Sequence, residues 1–375
     1  MTTHFLSYNS PMLYAFLILK TFLISVLFSF VPLQDLPPNT LSEITNTEPF
    51  RSYEEVTPLE IKRQPPIAVK TTEIQLPNAS AKKDDSPAAT PTSTGIPMQE
   101  LNLKTKAALV NIFCVGIGKI EYSISGTGIF ISENGVVLTN AHLAQYLLLA
   151  SEKERFFDCV LRTGSPAVPT YRARILYLPP QWVKDHPSHL SEARPTGTGE
   201  NDYALLLVTR RVDGRPLPDK FPYISPDPRV QLYPGNVVLE AAYPAGFLGN
   251  EFITKNLNSG SSIAHVVDVL SFDGQSRDFA ILEGTVVAQQ GSSGGAIVGP
   301  DGTQVGLIVT LSDGKTTSER KLGIITTFHI ARTIEKFTGQ SLASFATESE
   351  VKADKFEETE SPALITILKT ALNLE

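Results

Sequence analysis

The run Gln290-Gly291-Ser292-Ser293-Gly294-Gly295-Ala296-Ile297-Val298 offers what a hydroxyl nucleophile requires of its backbone. Glycines at 291, 294 and 295 carry no Cβ, so the chain can turn sharply and let other backbone approach closely. In such a turn the amide N–H groups around Ser293 can face one small space. That is the geometry that stabilises the oxyanion formed when a hydroxyl attacks a carbonyl. The same letters are also ordinary linker chemistry. Context separates the two readings: an apolar strand at 296–298 follows at once, and Pro300-Asp301-Gly302 marks a hairpin into a second strand at 304–311.

A serine hydroxyl needs a base within hydrogen-bond reach and a third group to orient that base. Of the six histidines, His142 has the strongest setting. It ends the β-rich run Val136-Val137-Leu138-Thr139-Asn140-Ala141, whose partner strand, 126–131, is joined to it through Asn134-Gly135, a type I′ hairpin signal. A helical run at 143–149 follows. A histidine at a strand end also serves simply to cap or pack. His186, His189, His265 and His329 stand in no comparable setting. For the orienting carboxylate the sequence offers Asp202, at the mouth of the apolar strand Tyr203-Ala204-Leu205-Leu206-Leu207-Val208, with Glu200 its nearest competitor. A buried acid there stays charged by accepting the imidazole N–H and nearby amides; a solvated loop aspartate is the plainer alternative.

Taken together, Thr139-Asn140-Ala141-His142, then Asp202-Tyr203-Ala204-Leu205-Leu206, then Gly291-Ser292-Ser293-Gly294-Gly295 resemble the trypsin-like serine peptidases, in particular their bacterial HtrA-like branch. The order His, Asp, Ser is that of the chymotrypsin type. The likeness spans residues 103–339. It implies His142 as general base and then acid, Asp202 as its orienter, Ser293 as nucleophile, and the backbone N–H groups of Gly291 and Ser293 as the oxyanion hole. Family members usually carry Asp or Asn where Ser292 stands, and Ile or Leu where Tyr203 stands. Many HtrA-like members also carry a PDZ domain, and no stretch here reads as one.

The elements that must position these groups follow along the chain. With 375 residues, 42% hydrophobic and 19% charged, the composition is that of a globular protein with room for two cores and appendages. The net charge of −7 and the lack of a large basic cluster argue against nucleic-acid binding. No metal-ligand spacing occurs, and the expected chemistry needs no cofactor. Residues 12–33 are apolar apart from Lys20 and a few small polar residues, long enough to span a bilayer. They read as a membrane anchor or a signal segment within residues 1–33; the missing Ala-x-Ala cleavage site tilts the reading toward an anchor. Residues 34–100, rich in Pro, Ser and Thr, read as a disordered tether.

Strand-like runs at 107–117, 122–131, 136–139, 156–163, 171–178 and 203–209 suit a first closed barrel within 101–218. A second barrel, within 219–340, draws on 236–242, 252–256, 262–272, 279–282, 296–298, 305–311 and 322–327. Residues 179–200 read as a surface excursion, and 330–337 as a closing helix. An acidic tail with a short C-terminal helix, 341–375, completes the chain. The resemblance implies an all-β fold of two perpendicular six-stranded antiparallel barrels, with the site in the cleft between them. It also puts the only two cysteines, Cys114 and Cys159, on the neighbouring first and fourth strands, where they form a disulfide in an exported domain or remain two buried thiols. The pocket for the residue before the cleaved bond is expected from 285–290 and the strand after Gly306, with Val287 where trypsin carries an acid, favouring aliphatic or small side chains.

The expectation is therefore an extracytoplasmic, membrane-anchored or exported serine endopeptidase acting on polypeptides. The alternative is an inactive scaffold of the same fold that binds them.

Overall fold

The computed structural model describes residues 96–118, 120–151, 156–191, 198–312 and 314–374. The expected anchor or signal segment and nearly all of the expected tether lie outside them. Among the described residues no helix is long and apolar enough to cross a membrane.

Twelve strands make two closed barrels. The first comprises β1 (Leu109–Gly116), β2 (Ser123–Phe130), β3 (Val136–Thr139), β4 (Phe157–Thr163), β5 (Val168–Tyr177) and β6 (Ala204–Arg211), in the order β1-β2-β3-β6-β5-β4. The second comprises β7 (Val237–Ala242), β8 (Gly260–Leu270), β9 (Phe279–Leu282), β10 (Ala296–Val298), β11 (Gln304–Leu311) and β12 (Leu322–Thr326), in the order β10-β11-β12-β9-β8-β7. Closure leaves no strand edge open to pair with another chain. The period-two alternation of β-strands decides which side chains fill each barrel. Val238 and Ala242 of β7 join Ala264 and Val266 of β8 in one apolar cluster, while Leu239 and Ala241 face a larger one shared with the first barrel.

The cysteines are directly opposed on β1 and β4 and form a disulfide, Cys114–Cys159. Direct hydrogen bonds hold the two barrels together. The Tyr243 hydroxyl donates to the Gly164 carbonyl at 2.8 Å, and the Ala167 N–H donates to the Leu257 carbonyl at 2.7 Å.

Three expectations need correction. Residues 252–256 are no strand: α4 (Asn250–Lys255) occupies them. That segment buries only Ile253, and Glu251 pairs with Lys255 at the helical i,i+4 spacing, so nothing in it favours a sheet. The turn at Asn134-Gly135 is not type I′, because only Gly135 takes the left-handed conformation (φ 81°). Asn134 instead spends its side chain on the Ala346 carbonyl, 2.9 Å away. Finally, the acidic tail, expected to hold one short C-terminal helix, holds three among the described residues. After α5 (Thr327–Thr338) come α6 (Leu342–Thr347), α7 (Ser349–Thr359) and α8 (Ser361–Ala371). On α7, Glu350, Asp354 and Glu357 share one face and all reach Arg174 of β5, at 2.6, 2.6 and 3.3 Å. Phe356, Leu364 and Leu368 bury against the first barrel. Three more helices lie outside the expected strand pattern: α1 (Met98–Ala108), which runs straight into β1, α2 (Ala141–Ala150) and α3 (Pro180–Asp185). Of these, only α2 overlaps a helical run expected from the sequence.

Candidate active site

His142 is the second residue of α2, just past the end of β3. The preceding Asn140 is the N-cap in extended backbone, and its side-chain amide donates to the Asp202 carbonyl at 2.8 Å. Asp202 stands two residues ahead of β6, the strand that pairs with β3 through Thr139 and Ala204. That ladder brings two segments sixty residues apart to the same place. The Asp202 carboxylate takes the His142 backbone N–H on Oδ1 at 2.9 Å and approaches Nδ1 with Oδ2 at 2.7 Å. A carboxylate oxygen only accepts, so Nδ1 carries the hydrogen, and the tautomer with its lone pair on Nε2 is the one favoured. Both side chains are nearly sealed, at 2% and 3% exposure. Glu200, the competing carboxylate, is exposed.

Ser293 lies on the loop between β9 and β10, and this loop is fastened to the first barrel. Thr127 of β2 donates its N–H to the Ser293 carbonyl at 2.8 Å and its hydroxyl to the Gly291 carbonyl at 2.7 Å. The Thr139 hydroxyl, three residues before His142, donates to the Thr127 carbonyl at 2.7 Å. Gly294 (φ 81°) sits directly against this pair. A Cβ there would run into the Thr127 carbonyl oxygen and meet the Thr139 hydroxyl at 2.7 Å. The Ser293 loop is thus tied to Thr127 of β2, which in turn accepts from Thr139 at the end of β3, the strand that leads into His142. Ser293 itself is half-buried.

Two peptide planes in this loop are fixed from behind. The Gln290 carbonyl accepts from the Ala245 N–H at 2.7 Å, and the Ser292 carbonyl accepts from the Gly295 N–H at 2.8 Å. In a trans peptide the N–H points opposite to the C=O. The Gly291 and Ser293 N–H groups are therefore directed away from those partners, and neither donates to a backbone carbonyl among the described residues. A pair of preset, unspent donors flanking a hydroxyl can receive negative charge developing on an attacked carbonyl oxygen. The donor to Gln290 lies in the segment Tyr243-Pro244-Ala245-Gly246 that follows β7.

Both departures from the family's usual residues have local partners. The Ser292 hydroxyl donates to the Val287 carbonyl at 2.5 Å, and the Tyr203 hydroxyl shares a hydrogen bond with Thr333 of α5 at 2.7 Å. Val287, expected to line a substrate pocket, is fully buried in the second barrel's cluster instead. It packs there with Leu282 and Ala288, filling the barrel's interior.

Sequence reasoning missed three residues. Thr127 looked like one small polar residue in a strand. His329, set aside for lack of context, is buried on α5; its Nε2 donates to the Glu200 carbonyl at 2.6 Å, and its Nδ1 faces Asp278 at 3.1 Å. It therefore braces the loop that delivers Asp202. Glu240, fully buried on β7, was visible only as an acid in an otherwise apolar strand. Among the described residues no group of three or more His, Cys, Asp or Glu gathers as a metal site would need.

Residues 126–307 match the family model of the trypsin-like peptidase domain. No curated protein matches the chain. Among solved structures, the active form of the Rv3671c protease from M. tuberculosis is similar at 18% identity and a TM-score of 0.41, over 69% of this chain and 95% of that one. Deg5 is similar at 15% identity and 0.41, over 63% and 90%. An HtrA-type protease, AlgW, with a tripeptide, is similar at 14% and 0.42, over 65% of each chain. The likeness to a trypsin-like peptidase domain thus falls on residues 126–307, which run through both closed barrels.

Proposed function

We propose that the chain is a serine endopeptidase in which Ser293 attacks a peptide carbonyl and forms an acyl-enzyme. His142 accepts the hydroxyl proton on Nε2 and passes it to the leaving amine. Asp202 holds the imidazole in the competent tautomer and stabilises the imidazolium. The Gly291 and Ser293 N–H groups receive the oxyanion, and water admitted to the acyl-enzyme completes hydrolysis. No cofactor enters these steps. The observation that carries this reading is the buried His142–Asp202 pair, with the Ser293 loop hydrogen-bonded to β2, whose partner β3 leads into His142.

A fluorophosphonate probe tests the reading, because it reacts only with an activated serine. Labelling of the intact chain, lost in Ser293→Ala and in His142→Ala, is the expected result. A folded wild-type protein that takes no label overturns it in favour of a polypeptide-binding scaffold.

We further propose that the peptidase domain works outside the cytoplasm, held by residues 12–33. The Cys114–Cys159 disulfide supports this, since such bonds persist in oxidising compartments. Protease added to intact cells should digest the domain; full protection would count against it.

A further inference from the structure

Glu240 is an acid where the barrel has no ordinary use for one. By alternation along β7 it shares a face with Val238 and Ala242, so its side chain enters the apolar interior of the second barrel. It is fully buried and pairs in register with Ile297 of β10 and Ser262 of β8. One carboxyl oxygen, Oε1, accepts a short hydrogen bond from the Thr285 hydroxyl. The other, Oε2, is buried with no partner. An acid held this way is costly, and a purely structural role would be filled better by an apolar side chain.

Its single bond leads to the nucleophile. The Thr285 hydroxyl that donates to Glu240 accepts the Val287 N–H at 3.1 Å, and the Thr285 carbonyl accepts the Ala288 N–H at 3.0 Å. The Val287 carbonyl in turn accepts the Ser292 hydroxyl at 2.5 Å. The Ser292 carbonyl, held by Gly295, fixes the direction of the Ser293 N–H. Side-chain and backbone hydrogen bonds thus run from Glu240 through the turn 285–288 to the peptide beside the reacting serine.

We propose that Glu240 is a positioning residue for the turn that precedes Ser293, holding it through Thr285, and that it does so as the neutral acid. The proposal rests on Ser293 being the nucleophile. The electrostatics of the surroundings favour the neutral form. The charged side chain facing it is Glu283, at the end of β9, which binds His265 of β8 at 2.7 Å. Thr285 is the sole hydrogen-bond donor to its side chain among the described residues, and no cation contributes. Burial first, and the Glu283 charge second, push the carboxyl up to about 8. Once ionised, Glu240 would leave a charge on an oxygen without a donor. Relief requires the carboxylate to swing away from Thr285 or water to enter the barrel beside the turn, and either disturbs the turn. The turn then loses its anchor, and a displacement of about 1 Å at a reacting centre is enough to cost on the order of 100-fold in rate.

The test follows amide resonances and labelling together in the full chain carrying 15N-glycine and 15N-valine. In wild type the Gly291 and Val287 amides should shift through an inflection near the acid's titration. The fluorophosphonate labelling rate should fall about tenfold between pH 7 and pH 9.5 as the neutral form is depleted. In Glu240→Gln both changes should vanish, because the amide keeps the acceptor for Thr285 and cannot ionise. Thr285→Val, which cuts the link while leaving the acid, should also abolish the Gly291 inflection. An inflection that persists in Glu240→Gln, or its absence from folded wild type between pH 6 and pH 10, overturns the proposal. An inflection in a protein that never takes the label would instead remove Ser293 as nucleophile, while supporting Glu240's hold on the turn.

Discussion

His329 and Glu200 are 129 residues apart in sequence, yet the imidazole Nε2 donates to the Glu200 carbonyl across 2.6 Å. Glu200 lies two residues before Asp202, so the first turn of α5 holds the loop that supplies the carboxylate to His142. On its other side the same ring faces Asp278, which also receives Arg332 at 2.7 Å and the Phe272 N–H at 3.0 Å. The second barrel thereby braces a residue of the first barrel's site. The Thr127–Ser293 bond does the reverse, with a first-barrel strand bracing a second-barrel loop.

Replacing His329 should therefore cost stability and site geometry together. His329→Ala removes a partner of the fully buried Asp278 carboxylate and leaves the Glu200 carbonyl unpaired. A loss of about 3 kcal/mol is expected, short of the full penalty for an isolated buried charge because Arg332 remains. Urea denaturation gives the stability change. The fluorophosphonate rate in the folded variant should drop as well, and an unchanged rate would detach His329 from the Asp202 loop.

Asp278 also sets an acid limit. Burial raises its carboxyl, but hydrogen bonds from His329, the Phe272 N–H and Ser276, with the His329 charge, outweigh burial and hold it below the usual aspartate value. A carboxyl depressed in the folded state contributes stability that is fully present above its unfolded value, near 3.8. That contribution disappears as pH falls through the lower, folded value. Thermal midpoints should decline more steeply below pH 4 in wild type than in Asp278→Asn, where the difference between the two proteins narrows with acidification.

Asp202→Asn separates orientation from folding at the site. The asparagine fits the same space but can present an N–H to Nδ1, which favours the wrong imidazole tautomer. Labelling at Ser293 should fall by about 10⁴-fold with little change in the unfolding midpoint. A loss below tenfold in a folded variant would mean that Asp202 does not orient the base.

His142, Asp202 and Ser293 could be singled out in the sequence because each lies close to the end or start of a strand, where period-two patterns and turn residues are strong local signals. The resemblance put Cys114 and Cys159 on neighbouring strands but left a disulfide and two buried thiols both open, and the structure pairs them. What stayed hidden depended on distance in the chain. Thr127 matters because a loop 164 residues away returns to it, and His329 because its carbonyl partner belongs to the other barrel. The acidic face of α7 read only as part of an acidic tail, since its three partner contacts all converge on the single side chain of Arg174. Val287 was misjudged because an apolar residue looks the same in a pocket wall as in a barrel core.

The Cys114–Cys159 bond spans 45 residues of chain, a loop whose closure entropy limits its stabilisation to about 4 kcal/mol. Intact mass should rise by about 2 Da on reduction. Cys114→Ala with Cys159→Ala should lower the denaturation midpoint without abolishing labelling, because among the described residues neither cysteine is hydrogen-bonded to the Ser293 loop. Identical masses with and without reductant would show that the thiols are free.

Arg162 tests how far the two barrels depend on one another. Its side chain is 1% exposed, and burial lowers the guanidinium to about 10. Nε donates to Asn111 of β1 at 2.7 Å, while one terminal nitrogen reaches the Ile253 and Thr254 carbonyls at 2.8 and 3.0 Å. Those carbonyls belong to the last turn of α4, where helix geometry leaves them without internal donors. The guanidinium also lies 4.4 Å from the centre of the Phe113 ring. Arg162→Met keeps much of the apolar stem but strands three acceptors, so a loss of about 3 kcal/mol is expected. Arg162→Lys should recover only part of it, since one ammonium cannot reach both Asn111 and the end of α4 with the fork's geometry. Because α4 leads into Leu257, whose carbonyl binds the Ala167 N–H, the loss should appear as faster proteolysis at the junction as well as a lower midpoint. A methionine variant as stable as wild type would show that the barrels dock without this arginine.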